Sequence, residues 1–239
     1  IEDELHKEGI QTQFVNVDGI TRINVFTQVV STSEEFKLVN QGPSVSQLQE
    51  EALLKIIENM NTEDFLFVSG SHPEGITYTT YEKIARTAQL RGFKLILDTS
   101  AEFVPDLLKY RPYLIKPNDE ELAEWFGLIN PSLEEIKDCG QKLLEKGAEN
   151  VLVSLGEKGA ILFTPTETIH VTAPKGEVVN TACAGDTLLA TFVGSQLLGL
   201  SDEQALIKAV AAGSSTAFRP GLTDFSDVPT LMQQIKRIL

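Results

Sequence analysis

The alternation of apolar and polar positions changes character near residue 46. Before it, β-branched and aromatic residues predominate. Thr12 to Val17, Thr21 to Val30 and Glu35 to Val39 predict strands, with Asp18-Gly19 as a hairpin turn. Ahead of them, Ile1 to Glu8 carries the spacing of a helix end, stopped by Gly9. From Ser46 onward, helical patterns alternate with short unbroken apolar runs. Helices are predicted at Ser46 to Met60, Tyr78 to Arg91, just beyond Asp98, Asp119 to Phe126 and Pro131 to Lys146. Others follow at Asp186 to Leu198, at Asp202 to Phe218 and near the C-terminus. Strands are predicted at Asp64 to Ser69, Phe93 to Asp98, Tyr113 to Ile115, Val151 to Leu155 and Ala160 to Phe163.

Runs such as Phe-Leu-Phe-Val and Lys-Leu-Ile-Leu lack two-residue alternation, as strands covered on both faces do. Strands alternating with helices imply a mainly parallel sheet with right-handed crossovers. The early β-only stretch breaks that rhythm. It is expected to form a small separate sheet over the strand ends, where such folds bind ligands.

Composition narrows the picture. The 239 residues are 42% hydrophobic, enough for one large α/β domain spanning residues 1 to 239. A formal net charge of −14 argues against nucleic acid or an anionic membrane as partner. An anionic substrate would then need a local basic or N–H-rich pocket. Cys139 and Cys183 are far apart and lack metal-ligand spacing, which fits a reducing cytoplasm. No apolar run reaches membrane-spanning length, and no signal-peptide pattern is present.

Four segments carry candidate chemistry, all predicted at C-terminal strand ends of one parallel sheet. The most informative runs from Val178 to Phe192, where an Ala184-Gly185-Asp186 corner opens an apolar helix. Asp186 is either a simple helix cap or a carboxylate set among the N–H groups of an anion site. In Lys116-Pro117-Asn118-Asp119-Glu120-Glu121, Asn118 and Glu121 have capping-box spacing. The same amide and carboxylate could hold Mg²⁺ through waters beside a polyphosphate. Ser154-Leu155-Gly156-Glu157-Lys158-Gly159 has the makings of a glycine-containing hairpin, or of a loop whose small residues approach nucleotide phosphates. It has neither Walker nor dinucleotide spacing. Ser69 to Gly75 is a strand-end loop with hydroxyls and N–H groups to offer a ligand.

Together these residues resemble the PfkB branch of the ribokinase-like sugar kinases, especially bacterial members acting on fructose 1-phosphate. The likeness runs nearly end to end. Its markers are Thr21-Arg22-Ile23-Asn24-Val25, Gln41-Gly42-Pro43, Gly70-Ser71-His72-Pro73, Leu97-Asp98-Thr99-Ser100, Lys116-Pro117-Asn118 with Glu121, Val153 to Gly156 with Gly159, and Asn180-Thr181 leading to Gly185-Asp186. Tagatose-6-phosphate kinases are close relatives that differ in the Thr-Arg segment and carry Pro after the Asn matching Asn180.

The resemblance implies a three-layer sandwich with a mainly parallel sheet, a β-sheet lid at about residues 12–40 and a nucleotide-binding part at about 110–239. It implies ATP- and Mg²⁺-dependent phosphorylation of a ketohexose phosphate, with fructose 1-phosphate becoming the 1,6-bisphosphate. Asp186 would be the base, and the backbone N–H groups of Cys183, Ala184, Gly185 and Asp186 the anion hole. Asn118 and Glu121 would serve the metal. Lys116, Asn118, Ser154, Gly156, Glu157 and Gly159 would serve the nucleotide, with Gly213 and Gly221 in its adenine-side wall. Arg22 and Ser71 would touch the sugar phosphate, and exposed lid edges invite pairing with a second copy.

Two departures stand out. The family usually has Gly where this chain has Cys183; with φ above zero there, Cys would cost on the order of 1 kcal/mol. The family's opening strand, with its sugar-binding Asp and Gly-rich segment, has no counterpart in this sequence, so an N-terminal part of the domain is expected to lie outside it.

Overall fold

The computed structural model describes residues 1–29 and 34–238. After a short helix α1 (Glu2–Lys7), strands β1 (Val25–Val29) and β2 (Glu34–Leu38) form a two-stranded antiparallel sheet. The remaining strands build one six-stranded sheet: β3 (Phe65–Ser69), β4 (Lys94–Asp98), β5 (Leu114–Ile115), β6 (Val151–Ser154), β7 (Ala160–Phe163) and β8 (Thr168–Val171), in that spatial order. β3 through β6 run parallel; β7 is antiparallel to β6, and β8, antiparallel to β7, runs again in the direction of β3 to β6.

Alternate strand residues feed two helical layers. Leu95, Leu97, Ile115, Val151, Val153, Ile161 and Phe163 pack with α2 (Gln47–Ile57), α3 (Tyr78–Arg91), α5 (Asp119–Phe126) and α6 (Leu133–Glu145). Ile96, Leu114, Leu152, Leu162, Ile169 and Val171 face the opposite way, onto α7 (Ala184–Leu197), α8 (Asp202–Ala217) and α9 (Val228–Met232). This is the expected three-layer sandwich. A one-turn helix α4 (Val104–Leu107) completes the set. Local chemistry sets the helix starts: reciprocal capping boxes pair Ser46 with Gln49, Ser132 with Glu135 and Ser201 with Gln204.

The N-terminal third differs from expectation. Thr12 to Val17 is not a strand, because no backbone among the described residues pairs with it; its Asn16 carbonyl instead accepts from the Gln49 side chain at 2.9 Å. Asp18-Gly19 is therefore no hairpin turn. β1 instead pairs with β2, Val25 opposite Leu38 and Val29 opposite Glu34, and the end of the predicted Thr21 to Val30 strand lies outside the described residues. The arms of this small sheet attach to the loop after β3: the Val45 N–H donates to the Glu74 carbonyl at 2.8 Å. At the other edge, β8 is not among the predicted strands; it forms by pairing with β7.

Candidate active site

The carboxyl ends of the four parallel strands lie side by side. Ser69 pairs in register with Asp98, and the Gly70 N–H donates to the Asp98 carbonyl at 2.8 Å. The Lys116 N–H donates to the Leu97 carbonyl at 3.0 Å, and the Ser154 N–H to the Pro117 carbonyl at 3.1 Å. The loops bearing Ser71, Asp98, Lys116 with Asn118, and Ser154 are thereby neighbours along one edge. That is where open α/β sheets hold ligands.

The Ala184-Gly185-Asp186 corner opens α7 two residues before the predicted start. Cys183 is its N-cap residue, in the left-handed region at φ 62° and ψ 4°. A non-glycine residue there costs on the order of 1 kcal/mol, so the corner is strained as built. Leading into it, the Asn180 side chain accepts from the Ala182 N–H at 3.0 Å, and the Ala184 N–H donates to the Thr181 carbonyl at 3.2 Å. Partial burial pushes the Cys183 thiol up, and the Asp186 carboxylate, which accepts its S–H hydrogen bond, adds to the rise. The thiol is therefore held protonated, contrary to the thiolate that a helix N-terminus favours.

Beneath the corner sits a buried ion pair. Lys116 is 7% exposed and its Nζ lies 2.9 Å from Asp98 Oδ1. A β-carbon added at Gly185 would come 3.3 Å from the same Nζ, so the ammonium lies directly against the turn. Burial pushes the Asp98 carboxyl up, the Lys116 ammonium pulls it back, and the nearby charge of Asp186 raises it again. Two carboxylates and one ammonium thus share a small volume at the start of α7. The sequence alone gives Asp98 no role; its signals are its place in the Leu97 to Ser100 marker and a charge closing a buried strand.

Asn118 and Glu121 make the capping box that their spacing suggests. Asn118 Oδ1 accepts from the Glu121 N–H at 2.7 Å, and Glu121 Oε2 accepts from the Asn118 N–H at 3.0 Å. Among the described residues no group of three or more His, Cys, Asp or Glu could hold a metal alone. A single carboxylate is nonetheless what Mg²⁺ needs when waters and substrate phosphates fill its other positions. Glu121 retains Oε1 for that purpose, so the donor set fits a water-mediated cation.

Ser154 to Gly159 is a hairpin between β6 and β7, closed by the Leu155 N–H on the Gly159 carbonyl at 2.9 Å. Gly159 has φ 95°, and a β-carbon there would overlap the Val171 carbonyl, so only glycine fits. Gly156 and Glu157 are exposed at the tip. Gly213, in α8, packs against α7, where a β-carbon would come 3.0 Å from the Ala184 carbonyl oxygen. Gly221 is exposed in the loop after α8. Arg22 and Ser71, 49 positions apart, meet: Arg22 Nη1 donates to Ser71 Oγ. Both line a cleft of about 480 Å³, together with Gln41, Gly42, His72 and Glu74.

Residues 1–230 match the pfkB family of carbohydrate kinases. The chain belongs to that family and has its ribokinase-like fold. It is a PfkB-family sugar-phosphate kinase. The D-tagatose-1-phosphate kinase of Bacillus licheniformis is 47% identical over 237 residues, covering 99% of this chain and 77% of that one. The 1-phosphofructokinase of Bacillus subtilis is 36% identical over 232 residues, covering 97% and 76%. Among solved structures, Escherichia coli phosphofructokinase-2 in complex with potassium superposes with a TM-score of 0.87 at 25% identity, covering 96% of this chain and 75% of that one. No helix among the described residues is long and apolar enough to cross a membrane.

Proposed function

We propose that the protein transfers the γ-phosphoryl group of ATP to the C6 hydroxyl of a ketohexose 1-phosphate, giving the 1,6-bisphosphate. The observation that carries this reading is the juxtaposition of Asp186, the opening turn of α7 and the buried Lys116 ammonium at one sheet edge. Asp186 takes the hydroxyl proton as attack proceeds. Carboxylates are weak bases in general, so proton loss is coupled to phosphoryl transfer. The N–H groups of Cys183, Gly185 and Asp186 and the helix dipole receive the charge that spreads over the transferring oxygens, the Ala184 N–H being engaged on the Thr181 carbonyl. One such donor is typically worth about 3 kcal/mol, roughly a hundredfold in rate. Lys116 adds a full positive charge beneath them. Mg²⁺, when bound beside Asn118 and Glu121, would neutralise phosphate charge. Ser154, Gly156 and Gly159 bring backbone to the nucleotide phosphates, and Arg22 offers the sugar phosphate a bidentate partner.

Tagatose 1-phosphate and fructose 1-phosphate differ only in configuration at C4. The 47% likeness to a D-tagatose-1-phosphate kinase favours the tagatose epimer, and the 36% likeness to a 1-phosphofructokinase keeps fructose 1-phosphate as a substrate. The test is a panel of tagatose 1-phosphate, fructose 1-phosphate, tagatose 6-phosphate and fructose 6-phosphate with ATP and Mg²⁺. The expected order of kcat/KM puts the two 1-phosphates above both 6-phosphates. Failure to turn over either 1-phosphate sinks the proposal; tight ATP binding without turnover would mark a binding module instead.

A further inference from the structure

The last two turns of α8 touch the catalytic corner at three places. The Ala217 carbonyl accepts from the N–H groups of Val179 and Asn180, at 2.8 and 3.1 Å, and so holds the segment entering the corner. Gly213 lets the Ala184 carbonyl approach. Between them, the hydroxyl of Thr216 donates to Thr187 Oγ1 at 3.1 Å, one residue beyond Asp186.

Thr216 is 2% exposed, and its oxygen also accepts a hydrogen bond, from the Thr223 N–H at 3.2 Å. Thr223 belongs to the loop that folds back onto α8. Ser215, fully buried, donates its only hydroxyl proton to Asp227 Oδ1 at 2.5 Å. The Thr223 hydroxyl, 2.7 Å from Ser215 Oγ, must therefore be the donor in that pair. Arg219 closes the loop from outside, on Asp224 at 2.6 Å and Asp227 at 3.0 Å. One hydroxyl thus joins a clamped loop to the first turn of the helix that bears the base.

We propose that Thr216 is a positioning residue for the catalytic corner, fixing the first turn of α7 against the loop at 219–227. This inference rests on the reading of Asp186 as the base. Thr216→Val keeps the shape of the side chain, but strips Thr187 of its donor and leaves the half-buried Thr223 N–H without its acceptor. A base displaced by a fraction of an ångström loses rate while ground-state contacts survive. We expect kcat for Thr216→Val to fall at least about tenfold, with KM for ATP and sugar phosphate within about twofold. Thr216→Ser, which restores the hydroxyl, should return kcat to near wild type.

A second readout does not need turnover. Cys183 is exposed at the corner, whereas Cys139 is 3% exposed in the core. The rate of iodoacetamide alkylation at Cys183 should change several-fold in Thr216→Val and return in Thr216→Ser, with Cys139 protected throughout. Should Cys139 become reactive because Thr216→Val unfolds, Thr187→Val, which removes the other half of the contact, carries the same two expectations. Wild-type kcat and wild-type Cys183 reactivity in a folded valine variant overturn the inference. Absence of turnover in the wild type would sink the kinase proposal alone, with Cys183 reactivity still deciding the role of Thr216.

Discussion

Lys116 and Asp98 form a buried ion pair 2.9 Å long at the foot of the turn that begins α7. Removing one member of such a pair leaves a desolvated charge behind, which typically costs about 3–5 kcal/mol. Lys116→Met should therefore destabilise the protein by roughly that much in urea unfolding and also cut kcat. Adding Asp98→Asn should recover most of the stability and little of the activity. Recovery of both would make the pair purely structural.

Asp186→Asn keeps the shape of the side chain and removes its basicity. Loss of several orders of magnitude in kcat is expected, with ATP affinity by calorimetry close to wild type. Substantial residual turnover would remove Asp186 from the role of base.

At φ 62° Cys183 occupies a conformation natural to glycine. Cys183→Gly should relieve up to about 1 kcal/mol of backbone strain, worth roughly 2–4 °C in Tm for a chain of this size, less the extra entropy of the unfolded glycine chain. Cys183→Val, β-branched, should move Tm the other way. The expected order by calorimetry is Gly, then Cys, then Val; any other order contradicts the strain.

Glu82, on α3, accepts from Lys109 and Tyr110 of the turn after α4 and from Tyr78 of its own helix, which together hold its carboxyl down to about 2, from an ordinary 4.5. Between those values the unfolded chain binds a proton at Glu82 that the folded one does not. The contribution is therefore complete above about pH 4.5 and lost as pH falls toward 2. In urea melts, the advantage of wild type over Glu82→Gln should shrink from pH 5.5 to pH 3. A constant difference would refute it.

In the small sheet, Val25 pairs with Leu38 and Thr27 with Phe36, which puts three apolar side chains on one face, all exposed. We propose that this face pairs with a second copy of the chain. Light scattering should report a dimer, and Leu38→Glu a monomer. A monomeric wild type would dismiss the pairing.

Much of this architecture is legible in the sequence, for identifiable reasons. Helices α2, α5, α6 and α8 begin where Ser-x-x-Glu/Gln or Asn-x-x-Glu signals stand, because capping is a local matter. The alternation of buried strands and helices dictates three layers. What escapes is non-local. Thr12 to Val17 has strand composition but no partner strand among the described residues, and β8 forms on the edge that β7 offers. Asp98 and Lys116 lie 18 positions apart and meet through strand pairing alone. Nothing in a cysteine announces a left-handed backbone; only the glycine usual in the family points to Cys183. Ser71 and Arg22 meet across 49 positions, and Gly213 makes its close contact with Ala184, only in three dimensions.

The four parallel strands also act as a ruler. Neighbouring strands lie about 4.8 Å apart, so three steps from β3 to β6 span roughly 14 Å. A sugar phosphate at the β3 loop, a transfer point above β4 and β5, and a nucleotide at β6 would be spaced by the sheet's own hydrogen bonds. Loop substitutions can then change which sugar is held without altering how far the phosphoryl group travels.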